Sequence, residues 1–290
     1  MQQIQVLNNL TAGQSDKVPK ALLSVNQYTD WSLPQYNSLL TFVPSQAPQY
    51  ASLLATYKAN QAANVTSPAT PVPSVTSIDW VASGVAWPTA YDQFTCGGGY
   101  AFAAVGALQA AYEQKYSSAK HLSVTQVLTC SSISGNAGCL GGNPEATFNY
   151  WKTNPAELST TFNTTNSCSV SAANGVVETT GFEYVPINNP AAMLAKLQQG
   201  PLAVGIAASQ FTFEFYSSGI ISPLSCGTKI NHVVLLVGMG TDSNNVPYWV
   251  IQNSFGTTWG QAGYARIFRD MTPNSVGACG INQYVIRPLI

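Results

Sequence analysis

The residues of this chain that could do chemistry lie in three short stretches, where sulfur, imidazole and amide side chains stand beside glycines. The stretches read DQFTCGGGYAF over residues 92–102, NHVVLLVG over residues 231–238 and YWVIQNSFGTTWG over residues 248–260. Cysteine, histidine and asparagine are the residue types of thiolate acyl transfer. In that reaction the thiolate attacks a carbonyl carbon, the imidazole moves the proton and the amide orients the imidazole. Activity of this kind requires a reactive thiol.

The first stretch resembles the nucleophile segment of the papain-like (cathepsin-type) cysteine peptidases. In that family a glutamine, a half-cystine and the catalytic cysteine precede a Trp-Ala-Phe sequence that opens a buried helix. The resemblance places Gln93 at the oxyanion glutamine and Cys96 at the half-cystine. Gly99 falls at the nucleophile position and Tyr100 at the tryptophan. Without its thiol a peptidase of this kind cannot form an acyl-enzyme.

The other two stretches resemble the histidine strand and the asparagine segment of the same family. They place His232 at the acid–base position and Asn253 at the position that orients it. Phe255 stands where a tryptophan is usual, whereas Trp259 keeps its own. Gln93 could still donate to an oxyanion. A base and donors without a nucleophile imply a vestigial catalytic site that can bind but not cleave.

Two hydroxyl residues and a water are the alternatives to a thiol nucleophile. Ser254 and Thr95 are the nearest hydroxyls in sequence, but neither falls at the helix N-terminus where the helix dipole and His232 would activate it. A water activated by His232 is the remaining alternative. His121, in the sequence KHLS, is expected to be a plain surface residue.

The six cysteines form an even set, which is compatible with three disulfides and an oxidising compartment. Six cysteines allow fifteen connectivities. The family resemblance implies the pairs Cys96–Cys139, Cys130–Cys168 and Cys226–Cys279. Every framework cysteine is then used, and no thiol is left over.

Several departures from the family pattern accompany the missing thiol. Phe94 stands where a glycine is usual, and Gly98 where a serine is common. Phe94 is expected to crowd the cleft, and the Gly97–Gly98–Gly99 run to loosen the helix start, because glycine carries the largest backbone entropy. A laboratory substitution would leave the neighbours of the nucleophile unchanged. The pattern therefore favours natural loss of activity, with a mutated cysteine endopeptidase kept as an alternative.

The chain divides into residues 1–73 and residues 74–290. Residues 23–32 (LSVNQYTDWS) resemble the end of the family's inhibitory propeptide, so residues 1–73 are expected to be a shortened prosegment with a linker that begins near residue 62. A short helix is expected over 48–61, with Tyr50, Leu53, Leu54 and Tyr57 on one face. For residues 74–290 the resemblance implies the α+β papain-like fold. This fold has a helical lobe over about 85–180, an antiparallel β-barrel-like lobe over about 181–290 and a cleft between them. The prosegment is expected to lie in that cleft.

Composition narrows the possible partners. Only 8% of the 290 residues are charged, against roughly 25% in ordinary soluble domains, and the formal net charge is −1. Nucleic acid or an anionic membrane is therefore not expected as a partner, and no apolar stretch is long enough for a membrane span. Three sequons, at Asn9, Asn64 and Asn163, are candidate glycosylation sites. Together with the disulfides they predict a secreted, extracellular or luminal protein, in a lysosome-like or secretory compartment.

Three functions remain. The first is a catalytically inactive structural protein that assembles with itself or with other extracellular structural proteins in a coat, filament or matrix. The second is a decoy that binds peptides or inhibitors in the vestigial cleft, and the third is the mutated endopeptidase. No cofactor or metal is expected, because the two histidines are far apart in sequence and the cysteines are committed to disulfides.

Overall fold

A computed structural model describes residues 4–5, 8, 20–63, 65, 70–162 and 167–290 of the chain. The three sequon asparagines, Asn9, Asn64 and Asn163, lie outside the described residues. Within the described part, none of the helices combines the length and the apolar character that a bilayer crossing requires.

Eleven strands are described, nine of them in one large sheet. In chain order they are β1 (Ala21–Leu23), β2 (Ile78–Asp79), β3 (Ala156–Glu157), β4 (Gly175–Val177), β5 (Gly181–Tyr184), β6 (Leu202–Ile206), β7 (Tyr216–Ile221), β8 (His232–Thr241), β9 (Pro247–Gln252), β10 (Tyr264–Phe268) and β11 (Val285–Leu289). The large sheet has the spatial order β1-β7-β10-β9-β8-β6-β11-β5, with β2 also paired to β8, while β3 and β4 form a separate pair.

The large sheet corresponds to the expected antiparallel, barrel-like lobe, with two features that the sequence did not predict. Among the described strands its path is open, running from β1 at one edge to β5 at the other. In addition, β7 and β10 pair in parallel, whereas the other neighbours are antiparallel. The parallel pair arises because the chain leaves β7 and builds β8 and β9 before β10 returns beside it.

Eight α-helices are described. They are α1 (Leu33–Asn37), α2 (Pro48–Ala62), α3 (Gly99–Tyr116), α4 (Val124–Cys130), α5 (Pro144–Tyr150), α6 (Pro190–Leu197), α7 (Phe211–Glu214) and α8 (Pro223–Cys226). The longest, α3, is rich in alanine, the strongest helix former, and is buried along most of its length. Its Gly106 lets β8 approach, since a β-carbon there would lie 2.8 Å from Cδ2 of Leu235. The helix thus carries its first residue to the start of β8.

Three disulfides tie the loops around these elements. Cys96 bonds to Cys139, Cys130 to Cys168 and Cys226 to Cys279, and none of the six cysteines is free. These are the three pairs that the resemblance implies. The first holds the turn before α3 against the glycine-rich turn at 138–142.

Residues 20–63, part of the segment that is expected to be a prosegment (called the prosegment below), contribute to both hydrophobic cores. Tyr28, Tyr36 and Leu39 are buried in the core beneath the large sheet, and Phe42 and Tyr50 in the core around α3. Strand β1 belongs to the prosegment and pairs antiparallel with β7. The body of the protein therefore packs around the prosegment as it would around its own elements.

The prosegment helix α2 forms close to the predicted bounds. Its buried contact is made by Tyr50, with Leu54 and Tyr57 half-buried on the same side. Leu53 was expected on this face but is exposed at 39%. In a helix, positions 50, 54 and 57 follow the i, i+4, i+7 spacing of one stripe, and residue 53, at i+3, lies at the edge of this stripe.

Candidate active site

The head of α3 lies where the resemblance places the nucleophile. Gly98 is its N-cap residue and Gly99 its first residue. A β-carbon on Gly99 would lie 2.5 Å from Cε1 and 2.8 Å from Nδ1 of His232. Carbon atoms do not approach so closely without bonding. The imidazole therefore occupies the space that the side chain of residue 99 would need.

His232 begins β8, and Asn253 directly follows β9, so the pairing of these neighbouring strands brings the two side chains together. The imidazole Nε2 lies 2.9 Å from Oδ1 of Asn253, which also accepts the backbone N–H of Ser254 at 2.8 Å. An oxygen that accepts from Ser254 requires Nε2 of His232 to be the donor. Nδ1, the atom that faces Gly99, is then the unprotonated nitrogen.

Burial makes this histidine a neutral one. His232 is 1% exposed. Desolvation lowers its pKa to about 4, against which the hydrogen bond to Asn253 acts only partly. At neutral pH the ring is uncharged. The thiolate–imidazolium ion pair of a cysteine peptidase therefore lacks both of its partners here.

Aromatic rings hold the imidazole in place. Phe255 stacks on His232 with ring centroids 5.1 Å apart and an interplanar angle of 27°. Tyr28 of the prosegment packs edge-on against Phe255, with ring centroids 5.2 Å apart. Trp259 lies edge-on against Phe255 at 5.8 Å, and its Nε1 donates to the backbone oxygen of Phe213. The imidazole is thus packed indirectly against the prosegment.

The side-chain amide of Gln93, which the resemblance places at the oxyanion position, already has hydrogen-bond partners. Its Nε2 donates to the backbone oxygen of Cys96 at 2.7 Å and to that of Leu39 at 3.3 Å. Its Oε1 accepts the hydroxyl of Ser254 at 2.6 Å. The carbonyl of Leu39 belongs to the prosegment, which therefore reaches the side-chain amide of Gln93.

The next prosegment residues lie against the glycines of the cleft. Thr41 donates its hydroxyl to the backbone oxygen of Gly97 at 2.6 Å, and Phe42 donates its N–H to that of Asn231 at 3.0 Å. A β-carbon on Gly97 would lie 2.3 Å from Cγ2 of Thr41, and one on Gly141 2.9 Å from its carbonyl oxygen. The glycines of this region therefore permit close packing of the chain around Thr41, and the loosening of the helix start by the glycine run stays a prediction.

Three further sequence expectations can be compared with the structure. Phe94 does not crowd the cleft, because its side chain is exposed at 73% and its backbone has φ +49°. Ser254 is buried and its hydroxyl is committed to Gln93, whereas Thr95 is exposed. Neither hydroxyl is a hydrogen-bond partner of His232.

His121 is not the plain surface residue that the sequence suggested. Its ring stacks on Trp87 at 4.5 Å, and its Nδ1 lies 2.7 Å from the hydroxyl of Ser159. Desolvation lowers its pKa. Its neighbours are aromatic residues that no motif singled out, so only the folded chain reveals them.

A small internal cavity borders Asn253 and Ser254. Its volume is about 10 Å³, with Tyr91, Phe102 and Ala103 in its wall. That is room for about one water. Among the described residues, no group of three or more His, Cys, Asp or Glu side chains could hold a metal ion.

Comparisons with known proteins agree on one family. The model of the papain family of cysteine proteases matches residues 74–289 of this chain. A senescence-specific cysteine protease of Arabidopsis thaliana is 32% identical over an alignment that covers all of this chain and 81% of the relative. Mouse procathepsin L is 36% identical over 74% of this chain and 65% of its own length.

Solved structures of precursors show the same fold. Digestive procathepsin L 3 of Tenebrio molitor has a TM-score of 0.80 at 24% identity, covering 100% of this chain and 88% of the other. A recombinant stem bromelain precursor has a TM-score of 0.79 at 26% identity, covering 100% and 89%. Both alignments extend over the prosegment as well as the body.

Proposed function

This chain belongs to the papain family of cysteine proteases, and we propose that it is a member without catalytic activity, with a structural or self-assembly role outside the cell. The observation that carries the proposal is the position of His232. In an active member the imidazole lies beside a thiol. Here it fills the place of the side chain that Gly99 lacks, and burial keeps it neutral.

The cleft supports the same proposal. The oxyanion donor Gln93 is engaged by the backbone of Leu39, and Thr41 is packed on Gly97. A chain without a nucleophile cannot remove its own prosegment. The cleft is therefore closed by residues 38–42, and these contacts weigh against a decoy that binds peptides or inhibitors there.

The structural role rests on the remaining surface and framework. The chain has few charged residues and a net charge of −1, and a surface with net charge near zero does little to oppose association. Three disulfides staple the body, which suits an oxidising compartment. We infer a secreted or luminal protein, with itself or other extracellular structural proteins as partners.

The experiment has two parts. The native chain is assayed with fluorogenic peptides in the presence of reductant from pH 4 to pH 8, and separately labelled with an epoxide inhibitor of cysteine peptidases. We expect neither cleavage nor labelling. Thiol-dependent cleavage by the native chain would contradict the proposed inactivity.

The second part measures assembly. Light scattering and electron microscopy of native material are expected to show a large regular assembly with the prosegment present. A monomer that binds a cystatin-type inhibitor saturably would favour the decoy. Full activity of Gly99→Cys would favour the mutated endopeptidase.

A further inference from the structure

A buried carboxylate of the body receives the N-terminus of the prosegment helix α2. Glu145 is 4% exposed. Its Oε1 accepts the backbone N–H of Gln49 at 3.0 Å, and its Oε2 accepts that of Tyr50 at 3.2 Å. The first N–H groups of a helix have no partner inside the helix and carry partial positive charge. A carboxylate is the side chain best suited to that position.

Glu145 itself is held in place by the body. It lies in the first turn of α5, directly after Pro144, so its carboxylate is near the positive ends of two helices. Oε2 also accepts the hydroxyl of Tyr184 at 2.7 Å. With these three donors the carboxylate is buried and hydrogen-bonded, as a buried charge must be.

Aromatic packing continues the contact along α2. Tyr50 is buried, its ring lies 4.9 Å from that of Tyr284, and its hydroxyl donates to the backbone oxygen of Gln283 at 3.0 Å. Two turns further on, the hydroxyl of Tyr57 accepts from Nδ2 of Asn188 at 3.0 Å. Hydrogen bonds to the body thus hold both Tyr50 and Tyr57, the two tyrosines on the buried side of α2.

The prosegment has no covalent bond to the body other than the chain itself. All six cysteines lie between residues 96 and 279, and the three disulfides join them to one another. The linker after α2 is exposed at Ala63, Val65 and Val72. A foreign protease could therefore cut it, and only non-covalent contacts would then hold the prosegment.

We propose that Glu145 and helix α2 form an anchor that keeps the prosegment docked after the linker is cut. The product of such a cut is a two-chain complex with a closed cleft. The inference rests on the proposed function, because an inactive chain has no use for release. It assigns Glu145 as the positioning residue of the prosegment.

The test introduces a site for a specific protease between Ala63 and Pro71 of the full-length chain. After cleavage the protein is diluted to micromolar concentration and passed over a sizing column, with the two chains followed on a denaturing gel. We expect the prosegment to co-elute with the body in the wild type. In Glu145→Gln its dissociation constant is expected to rise about tenfold or more, as for the loss of charge-assisted hydrogen bonds.

Glu183→Gln is the matched control. Glu183 pairs with Lys196 at 2.8 Å and with Arg287 at 3.4 Å, both in the body, so the same change of charge there should leave prosegment binding unaltered. Tyr50→Phe, which removes only the hydroxyl bonded to Gln283, is expected to weaken binding by a smaller factor. It serves as a second variant should Glu145→Gln not fold.

Two results would overturn the anchor. One is release of the prosegment from the cut wild type, and the other is equal retention in Glu145→Gln and Glu183→Gln. A peptide-cleavage assay on the same cut samples distinguishes this failure from failure of the proposed function. Release without cleavage refutes the anchor alone, whereas cleavage of peptide refutes the inactivity.

Discussion

The imidazole of His232 occupies the volume that a side chain at Gly99 would need. Nδ1 of the ring is 2.8 Å from the point where a β-carbon of residue 99 would lie. Nε2 is hydrogen-bonded to Asn253, and one face of the ring is covered by Phe255. A side chain at residue 99 and the imidazole in its observed place therefore exclude one another.

A side chain at residue 99 should cost stability. Gly99→Ala and Gly99→Cys are both expected to lower the free energy of unfolding by about 1–3 kcal/mol, the usual cost of overpacking a filled core. Urea unfolding measures it. Because alanine has no thiol, it separates the cost of the β-carbon from any effect of sulfur.

The same cysteine variant should stay inactive while the prosegment is present. His232 must leave its place before a thiol can lie beside Nδ1, and Leu39 holds the amide of Gln93. We expect no peptide hydrolysis by Gly99→Cys above that of Gly99→Ala. A stable, fully active Gly99→Cys protein would show that the observed ring position is not maintained in solution.

His232 should be neutral, with the proton on Nε2, at pH 7. Nitrogen-15 NMR of the imidazoles is expected to show this tautomer and a titration near pH 4, the value to which burial lowers its pKa. His121→Gln assigns the signals, because the chain has only two histidines. Titration of His232 near its ordinary pKa would contradict the buried, uncharged ring.

This lowered pKa links stability to pH. A histidine whose folded-state pKa lies below its unfolded value contributes stability above pH 6.5 that is lost as pH falls toward 4. A shift of that size corresponds to up to about 3 kcal/mol. Acidification through this window should therefore destabilise the wild type, unless another group titrates in the opposite direction.

Glu214 is such a group. It ends α7, is 2% exposed, and its Oε2 has no hydrogen-bond partner among the described residues. Desolvation raises its pKa from 4.5 to about 7. A raised carboxyl pKa gives stability that is present below pH 4.5 and lost as pH rises to 7, so the effects of Glu214 and His232 should partly cancel between pH 4.5 and 6.5.

Glu214→Gln should reveal the pH dependence of stability that is due to His232. At pH 8 the variant is expected to be about 2 kcal/mol more stable than the wild type, because a buried unpaired charge is removed. Between pH 6.5 and 4.5 its stability should fall more steeply. Urea midpoints at four pH values test both points, with Glu178→Gln on the exposed surface as the control. Identical pH profiles for the wild type and Glu214→Gln would contradict the raised pKa.

Phe94 stores backbone strain without a packing contact to offset it. Its φ of +49° is in the left-handed region, which costs a residue with a β-carbon about 1–2 kcal/mol. Phe94→Gly is therefore expected to be about 1 kcal/mol more stable than Phe94→Ala, which keeps the strain. Thermal unfolding compares the two variants. If alanine is as stable as glycine, the strain is not present in solution.

The order and spacing of local motifs were sufficient to predict much of this protein. Three motifs predict the family and the fold: the sequence around Gly99, the strand that begins at His232 and the segment around Asn253. Each is recognisable because it forms a single turn or element only a few residues long. The helix α3 is predictable for the same reason. Its alanines and its apolar spacing act within single turns.

Only the tertiary structure decided how the parts of the site meet. Leu39 is 54 residues from Gln93, and Gln49 is 96 residues from Glu145. The imidazole of His232 lies where it does because a side chain is missing on another element. The sequence by itself determined the family, the order of the elements and the missing thiol. Packing determined that His232 fills the volume beside Gly99, and that Gln93 and Glu145 form hydrogen bonds with the prosegment. These contacts depend on which surfaces the folded chain brings together and not on local sequence.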